Sequence, residues 1–107
     1  MPRNIKKILR ELKKGLTEIY GEQLKSVILF GSYARGTERP PDSDIDVMIV
    51  LKDEFKYWEM DKRCSELVAD LSLANDVVIS RKLVSEAKYA ESKKPLYINI
   101  HKEGVTV

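Results

Sequence analysis

The sequence predicts a two-layer α+β fold: a small mixed β-sheet with helices packed on it. Three observations predict it. A long opening segment and a long central one carry apolar residues at helical spacing, and short β-branched runs of strand length lie between and after them. The segments follow one another in the order α-β-β-α-β-α-(α)-β, too mixed for an all-helical or all-strand layering. At 107 residues, with 43% hydrophobic and 34% charged, the chain suffices for one domain, 1–107, with a modest core.

The first helix is predicted from Asn4, a capping residue type, to about Tyr20. Ile5, Ile8, Leu9, Leu12, Leu16 and Ile19 form its apolar stripe, and Gly21 ends it. Lys6, Lys7, Arg10, Lys13 and Lys14 fall on the other side, as expected of a solvated face. Ser26 to Phe30 is a short apolar run stopped by Gly31, which reads as a buried strand. A loop follows to Ser43, punctuated by Gly36 and the Pro40-Pro41 pair, and Ile45 to Leu51 is the second strand. Glu54 to Ala74 reads as a long helix with Trp58, Cys64, Leu67, Val68 and Leu71 along its buried stripe. Val77 to Ile79 is the expected third strand, and Ser85 to Ser92 a further helix. Residues 95–104 alternate like a strand at Leu96, Ile98 and Ile100, yet Pro95 suits a helix start. The expectation is a short helix ending before Gly104, then a last strand at Val105-Thr106-Val107.

Acidic residues are rare in apolar strands because burying an unpaired carboxylate is costly. Asp44 and Asp46 break that rule together at the mouth of the second strand. Two residues apart on a strand, they project from the same face, and the crowding of like charges favours a hard cation such as Mg²⁺ or Mn²⁺ between them. Asp76 stands just before the expected third strand. A helical connection normally makes the strands it joins parallel neighbours, so Asp76 is expected at the same edge as Asp44 and Asp46. The shorter link between the first two strands suits an antiparallel pair, which brings Gly31-Ser32 to that edge as well. Gly31 lets the backbone approach an anion, Ser32 adds a hydroxyl, and a helical turn from Tyr33 would offer free amides to a phosphate. Arg35 supplies a charged contact whose direction the sequence does not fix.

Three other motif readings fail. Gly31 and Gly36 have P-loop spacing, but Thr37 stands where the lysine belongs. The run Asp42-Ser43-Asp44-Ile45-Asp46 lacks the glycine and bidentate glutamate of a calcium loop, because Val47 and Asp53 occupy those places. No G-x-G-x-x-G follows a strand.

Gly31-Ser32-Tyr33-Ala34-Arg35-Gly36 followed by Asp42-Ser43-Asp44-Ile45-Asp46-Val47 closely resembles the Gly-Ser…Asp-x-Asp signature of the polymerase-β-like nucleotidyltransferase superfamily. Within it the chain is similar to the minimal nucleotidyltransferases, the MNT proteins that pair with HEPN partners. The similarity runs from the first helix to Pro95–Ile100 and Glu103-Gly104-Val105. Many relatives place ten residues between Gly-Ser and Asp-x-Asp, whereas Tyr33 to Ser43 makes eleven here, through the doubled Pro40-Pro41.

The resemblance implies two-metal nucleotidyl transfer. Asp44 and Asp46 would hold two Mg²⁺ ions, Asp76 would be the third carboxylate on the acceptor side, and Gly31 and Ser32 would hold the β- and γ-phosphates of ATP. It implies transfer of AMP to a hydroxyl, a tyrosine's, on a partner HEPN toxin, for which the chain is the antitoxin in a hetero-oligomer. The alternatives are an antitoxin that acts by binding alone, or a nucleotidyltransferase acting on a small molecule or an RNA end.

The rest of the composition narrows the classes further. Nineteen basic against seventeen acidic residues leave a charge of +2, which gives no support to nucleic-acid binding. One cysteine excludes a disulfide framework or a multi-cysteine zinc site and suits a reducing, cytoplasmic setting. No run approaches the about 18 apolar residues of a membrane span. Cys64 on a helical stripe reads as core, His101 has no partner for nucleophilic chemistry, and Tyr57 and Trp58 read as packing residues.

Overall fold

The computed structural model describes residues 3–39 and 44–107; of Arg3 only the backbone is described. Its elements are α1 (Arg3–Tyr20), a 3-10 turn (Gly21–Gln23), β1 (Leu24–Phe30), α2 (Ser32–Arg35), β2 (Ile45–Leu51), α3 (Tyr57–Asn75), β3 (Ile79–Ser85), α4 (Glu86–Glu91), α5 (Pro95–Glu103) and β4 (Val105–Thr106). The doubled proline Pro40-Pro41, and with it the longer loop expected there, lies outside the described residues.

The four strands form one mixed sheet in the order β3-β2-β1-β4. β1 pairs antiparallel with β2, bringing Phe30 opposite Asp46, and β2 pairs parallel with β3, bringing Asp46 opposite Ser80. Both pairings follow from connection length: about a dozen residues reverse the chain, and a whole helix carries it back to a parallel start. β4 pairs antiparallel with the other side of β1.

Strand alternation divides the apolar residues between two faces. Val27 and Leu29 of β1 and Ile45, Val47, Ile49 and Leu51 of β2 join Ile79 and Leu83 of β3. They pack under Ile5, Ile8, Leu9, Leu12 and Leu16 of α1 and Cys64 and Val68 of α3. On the other face Ile28, Met48, Val50 and Val84 meet Ile100 of α5, with Tyr89, Leu96 and Tyr97 around them. β2, central and buried on both sides, therefore reads as a continuous hydrophobic run once past Asp46. α4 and α5 cover only part of the second face, and the uncovered part holds the mouth of β2.

α1 follows its sequence stripe closely, with Lys6, Lys7, Arg10 and Lys14 exposed. Gly21 turns the chain at φ 57°, and the Tyr20 hydroxyl donates to the Met60 carbonyl at 2.6 Å, tying α1 to α3. Residues 95–103 are helical, with Pro95 in the first turn, and β4 follows as expected.

Two expectations need correction. β3 runs over Ile79–Ser85 and not Val77–Ile79, because Asp76 and Val77 are held in the turn that closes α3. The Asp76 N–H reaches back to Leu73 and Ser72, and the Val77 N–H to Ser72. Trp58 is 66% exposed and not on the buried stripe of α3. It lies six residues before Cys64, which at about 100° a residue puts it well off the stripe; Met60 packs against the core in that turn instead.

Gly104 shows how tightly α5 is set on the sheet. A Cβ there would stand 2.5 Å from the Ile100 carbonyl and 2.6 Å from Cγ2 of Ile28. Neither backbone nor a packed strand side chain can yield cheaply, so Gly104→Ala is expected to cost about 1–3 kcal/mol, read as a lowered midpoint in urea unfolding.

Candidate active site

β1 ends at Gly31, which adopts φ 76° and ψ −156°, a conformation open to glycine and strained for other residues. The Asp46 carboxylate packs against it so closely that a Cβ on Gly31 would collide with an Asp46 oxygen. The chain then turns through α2, where Ala34 and Arg35 donate to the Gly31 carbonyl at 3.1 Å each, and Gly36 closes the turn at φ 75°. The first amides of such a turn, those of Ser32 and Tyr33, have no partner inside it. Tyr33 is buried and anchors the turn in the core under α1 and α3. A four-residue turn with apolar Tyr33 inward thus holds Ser32 beside the mouth of β2.

Asp44 and Asp46 bracket the first residue of β2, and Ile45 between them is fully buried. That fixes both carboxylates on the opposite face, the one left open by α4 and α5. The Ile45 N–H donates to the Val78 carbonyl at 2.8 Å, which pins the strand mouth to β3. Asp44 accepts a hydrogen bond from the Ser80 hydroxyl at 3.1 Å. The carboxyl of Asp46 is raised above its ordinary value, chiefly by burial and then by the negative charge of Asp44, while Arg35 and Lys82 pull it partly back. Arg35 itself is exposed and pairs with Glu103 at 3.4 Å, linking α2 to the end of α5. Beside Asp46 an open depression of about 570 Å³ runs out over β3, with Phe30, Ser80 and Lys82 among its lining residues.

The structure therefore brings Gly31, Ser32, Asp44 and Asp46 to one edge, with Arg35 near enough to act on Asp46 electrostatically. Asp76 stays outside that group. It caps the C-terminus of α3 in the left-handed region (φ 50°, ψ 48°), and two residues, Val77 and Val78, separate it from β3. Among the described residues no cluster of three His, Cys, Asp or Glu side chains is placed to share an ion. Cys64 is buried as expected, donating to the Asp61 carbonyl at 3.3 Å. His101 stacks on Tyr89 with ring centres 4.1 Å apart.

Sequence reading missed Ser80 and Lys82. Their signal was present as alternation: Ser80 and Lys82 interleave with Ile79, Arg81 and Leu83, a half-exposed strand whose polar positions look like the end of a strand when read singly.

A carboxyl raised in the fold destabilises the fold by ionising. Asp46 imposes no penalty well below its ordinary value of 3.8, and stability is lost as pH rises from there through the raised value. Because Asp46 is only partly buried, the effect is screened. Asp46→Asn is expected to raise the thermal midpoint at neutral pH by about 2–4 °C, the equivalent of about 0.5 kcal/mol. The gain should vanish as the medium is acidified toward pH 3.8, which paired melting curves across pH would check.

The family model described as "Nucleotidyltransferase domain" matches residues 5–105. A candidate protein adenylyltransferase of Methanocaldococcus jannaschii is 38% identical over 73 residues, covering 68% of this chain and 72% of the relative. A solved toxin–antitoxin structure with AMP-PNP superposes with a TM-score of 0.57 at 24% identity, over 89% of this chain and 68% of that one. Another, of a tri-AMPylated Shewanella oneidensis HEPN toxin in complex with its MNT antitoxin, gives a TM-score of 0.50 at 21% identity, over 92% and 70%.

Proposed function

We propose, starting from the fact that this chain belongs to the nucleotidyltransferase domain family, that it transfers AMP from ATP to a tyrosine hydroxyl of a HEPN-type toxin and thereby acts as the antitoxin. The observation that carries this reading is the contact between Gly31 and the Asp46 carboxylate. It sets a glycine-led turn with free amides directly against a pair of crowded carboxylates, so triphosphate and cation are gathered at one point. A relative of 38% identity named for protein adenylylation, and a fold neighbour whose toxin partner is AMPylated, support the choice of substrate and partner.

The donor set suits a divalent cation. Asp44 and Asp46 offer hard oxygens, and the Asp46 carboxyl is raised first by burial and then by the charge of Asp44, both of which a bound cation would offset. Mg²⁺ held there would neutralise phosphate charge and polarise the reacting centre. The chain's own part is placement. The Ser32 hydroxyl and the first amides of α2 hold the β- and γ-phosphates, and Gly31 keeps the backbone out of their way. Asp44, oriented by Ser80, and Asp46 would hold that cation at the mouth of β2, beside the open depression. The acceptor hydroxyl enters from that depression. Its oxygen bonds to the α-phosphorus, the bond to the bridging oxygen breaks, pyrophosphate leaves, and the acceptor's proton passes to solvent. Catalysis of this kind rests on positioning and charge stabilisation.

Label transfer from α-labelled ATP with Mg²⁺ tests the proposal, using the protein together with whatever co-purifies from its native host. Label is expected on the partner, reduced by about 10²–10³-fold or more in Asp44→Ala, with the partner still bound. A tight stoichiometric partner that never acquires label would replace the enzymatic reading with neutralisation by binding alone.

Gly31→Ala probes the clamp separately. The left-handed backbone and the collision with Asp46 are expected to cost about 1–3 kcal/mol of stability and to abolish labelling even where the variant remains folded.

A further inference from the structure

β3 presents its side chains alternately, and Ser80 and Lys82 share the face that carries Asp46. Ser80 stands directly opposite Asp46 and donates to Asp44 at 3.1 Å. Lys82 is the next residue on that face, opposite Met48 and diagonal to Asp46, exposed at the wall of the same depression. The ion pairs among the described residues are made by Lys25, Arg35 and Arg81, so the Lys82 ammonium is not committed to one of them. On the strand that flanks the carboxylate pair, the position a third acidic ligand would need is thus held by a hydroxyl and a cation.

We infer that Lys82 is a fixed cation on the acceptor side of the site, so that the chain's own side chains hold a single divalent ion, on Asp44 and Asp46, in place of two. The inference rests on the reading of Asp44 and Asp46 as metal ligands and concerns what stands beside them. Physically, an ammonium on the rim does part of the work of a second ion. It stabilises negative charge as it develops on the acceptor oxygen, and it repels a further cation from the space beside Asp46. Ser80 complements it as a positioning residue, since its hydroxyl turns one oxygen of Asp44 away from a second ligand role.

Mn²⁺ titrated into the full, nucleotide-free chain and counted by electron paramagnetic resonance tests this. Wild type is expected to bind one ion per chain. Lys82→Glu, which puts a carboxylate where the ammonium was, is expected to bind two. Lys82→Met, which keeps the stem and removes the charge, is expected to bind one, about three- to tenfold more tightly. Lys82 is exposed on an edge strand, and circular dichroism of both variants verifies that the fold is kept. Two ions in wild type would overturn the inference and leave the nucleotidyltransferase reading intact. A Lys82→Glu chain still binding one ion, together with unchanged affinity in Lys82→Met, would overturn it in the same way. A wild-type chain that binds no Mn²⁺ would remove the metal reading of Asp44 and Asp46 and this inference with it.

Discussion

The site depends on a glycine that has a carboxylate for a neighbour. Asp46 lies where a side chain on Gly31 would have to be, and the positive φ of Gly31 is what sends the chain into α2 beside it. Each half needs the other. Without the close approach, the turn would lie a side-chain's width from the strand mouth. Without the turn, the crowded carboxylates would have only water opposite them. The antiparallel register of β1 and β2, Phe30 opposite Asp46, sets this meeting point. The buried residues on either side of it, Leu29, Ile45 and Tyr33, keep the register from slipping. A packed core is thus spent on holding two like charges close together, a local arrangement that costs stability.

Much of this was legible in the sequence because its signals were binary. Val47 to Leu51 is so uniformly apolar that Asp44 and Asp46 stand out at its mouth, and the length of each connection fixed the direction of the next strand. Gly31 was readable as a turn residue, but its contact with Asp46 was not, because that needs the register as well as the residue types. The misplacement of β3 has a physical cause. Val77 and Val78 look like strand by propensity, yet α3 runs on until Asp76 caps it, and pairing starts only where β2 has a partner to offer. That shift of a few residues carried Asp76 away from the site and brought Ser80 and Lys82 into it. Trp58 was misjudged for a simpler reason: hydrophobicity was taken as burial before the phase of the helix was known.

Two charged linkages connect the site to the rest of the molecule. Arg35 pairs with Glu103 at the end of α5, so the α2 turn is tethered to the helix that covers the second face of the sheet. On the other face Arg81 grips Asp61 of α3 through two hydrogen bonds, at 3.0 and 3.3 Å. β3 therefore divides its polar residues cleanly: Arg81 holds the strand to its helix, while Ser80 and Lys82 serve the open side.

That division bears on how the molecule keeps to itself. β3 is the last strand of the sheet on its side, and an outermost strand offers unsatisfied backbone groups to any extended chain that drifts past. Here the Tyr57 hydroxyl already accepts from the Leu83 amide at 3.4 Å, and an ammonium and a guanidinium flank the remaining stretch. The charged side chains of the strand make it poor scaffolding for a stacked assembly. Charge at those few positions guards the border, and relatives that exchange those residues for apolar ones would need another way of doing so.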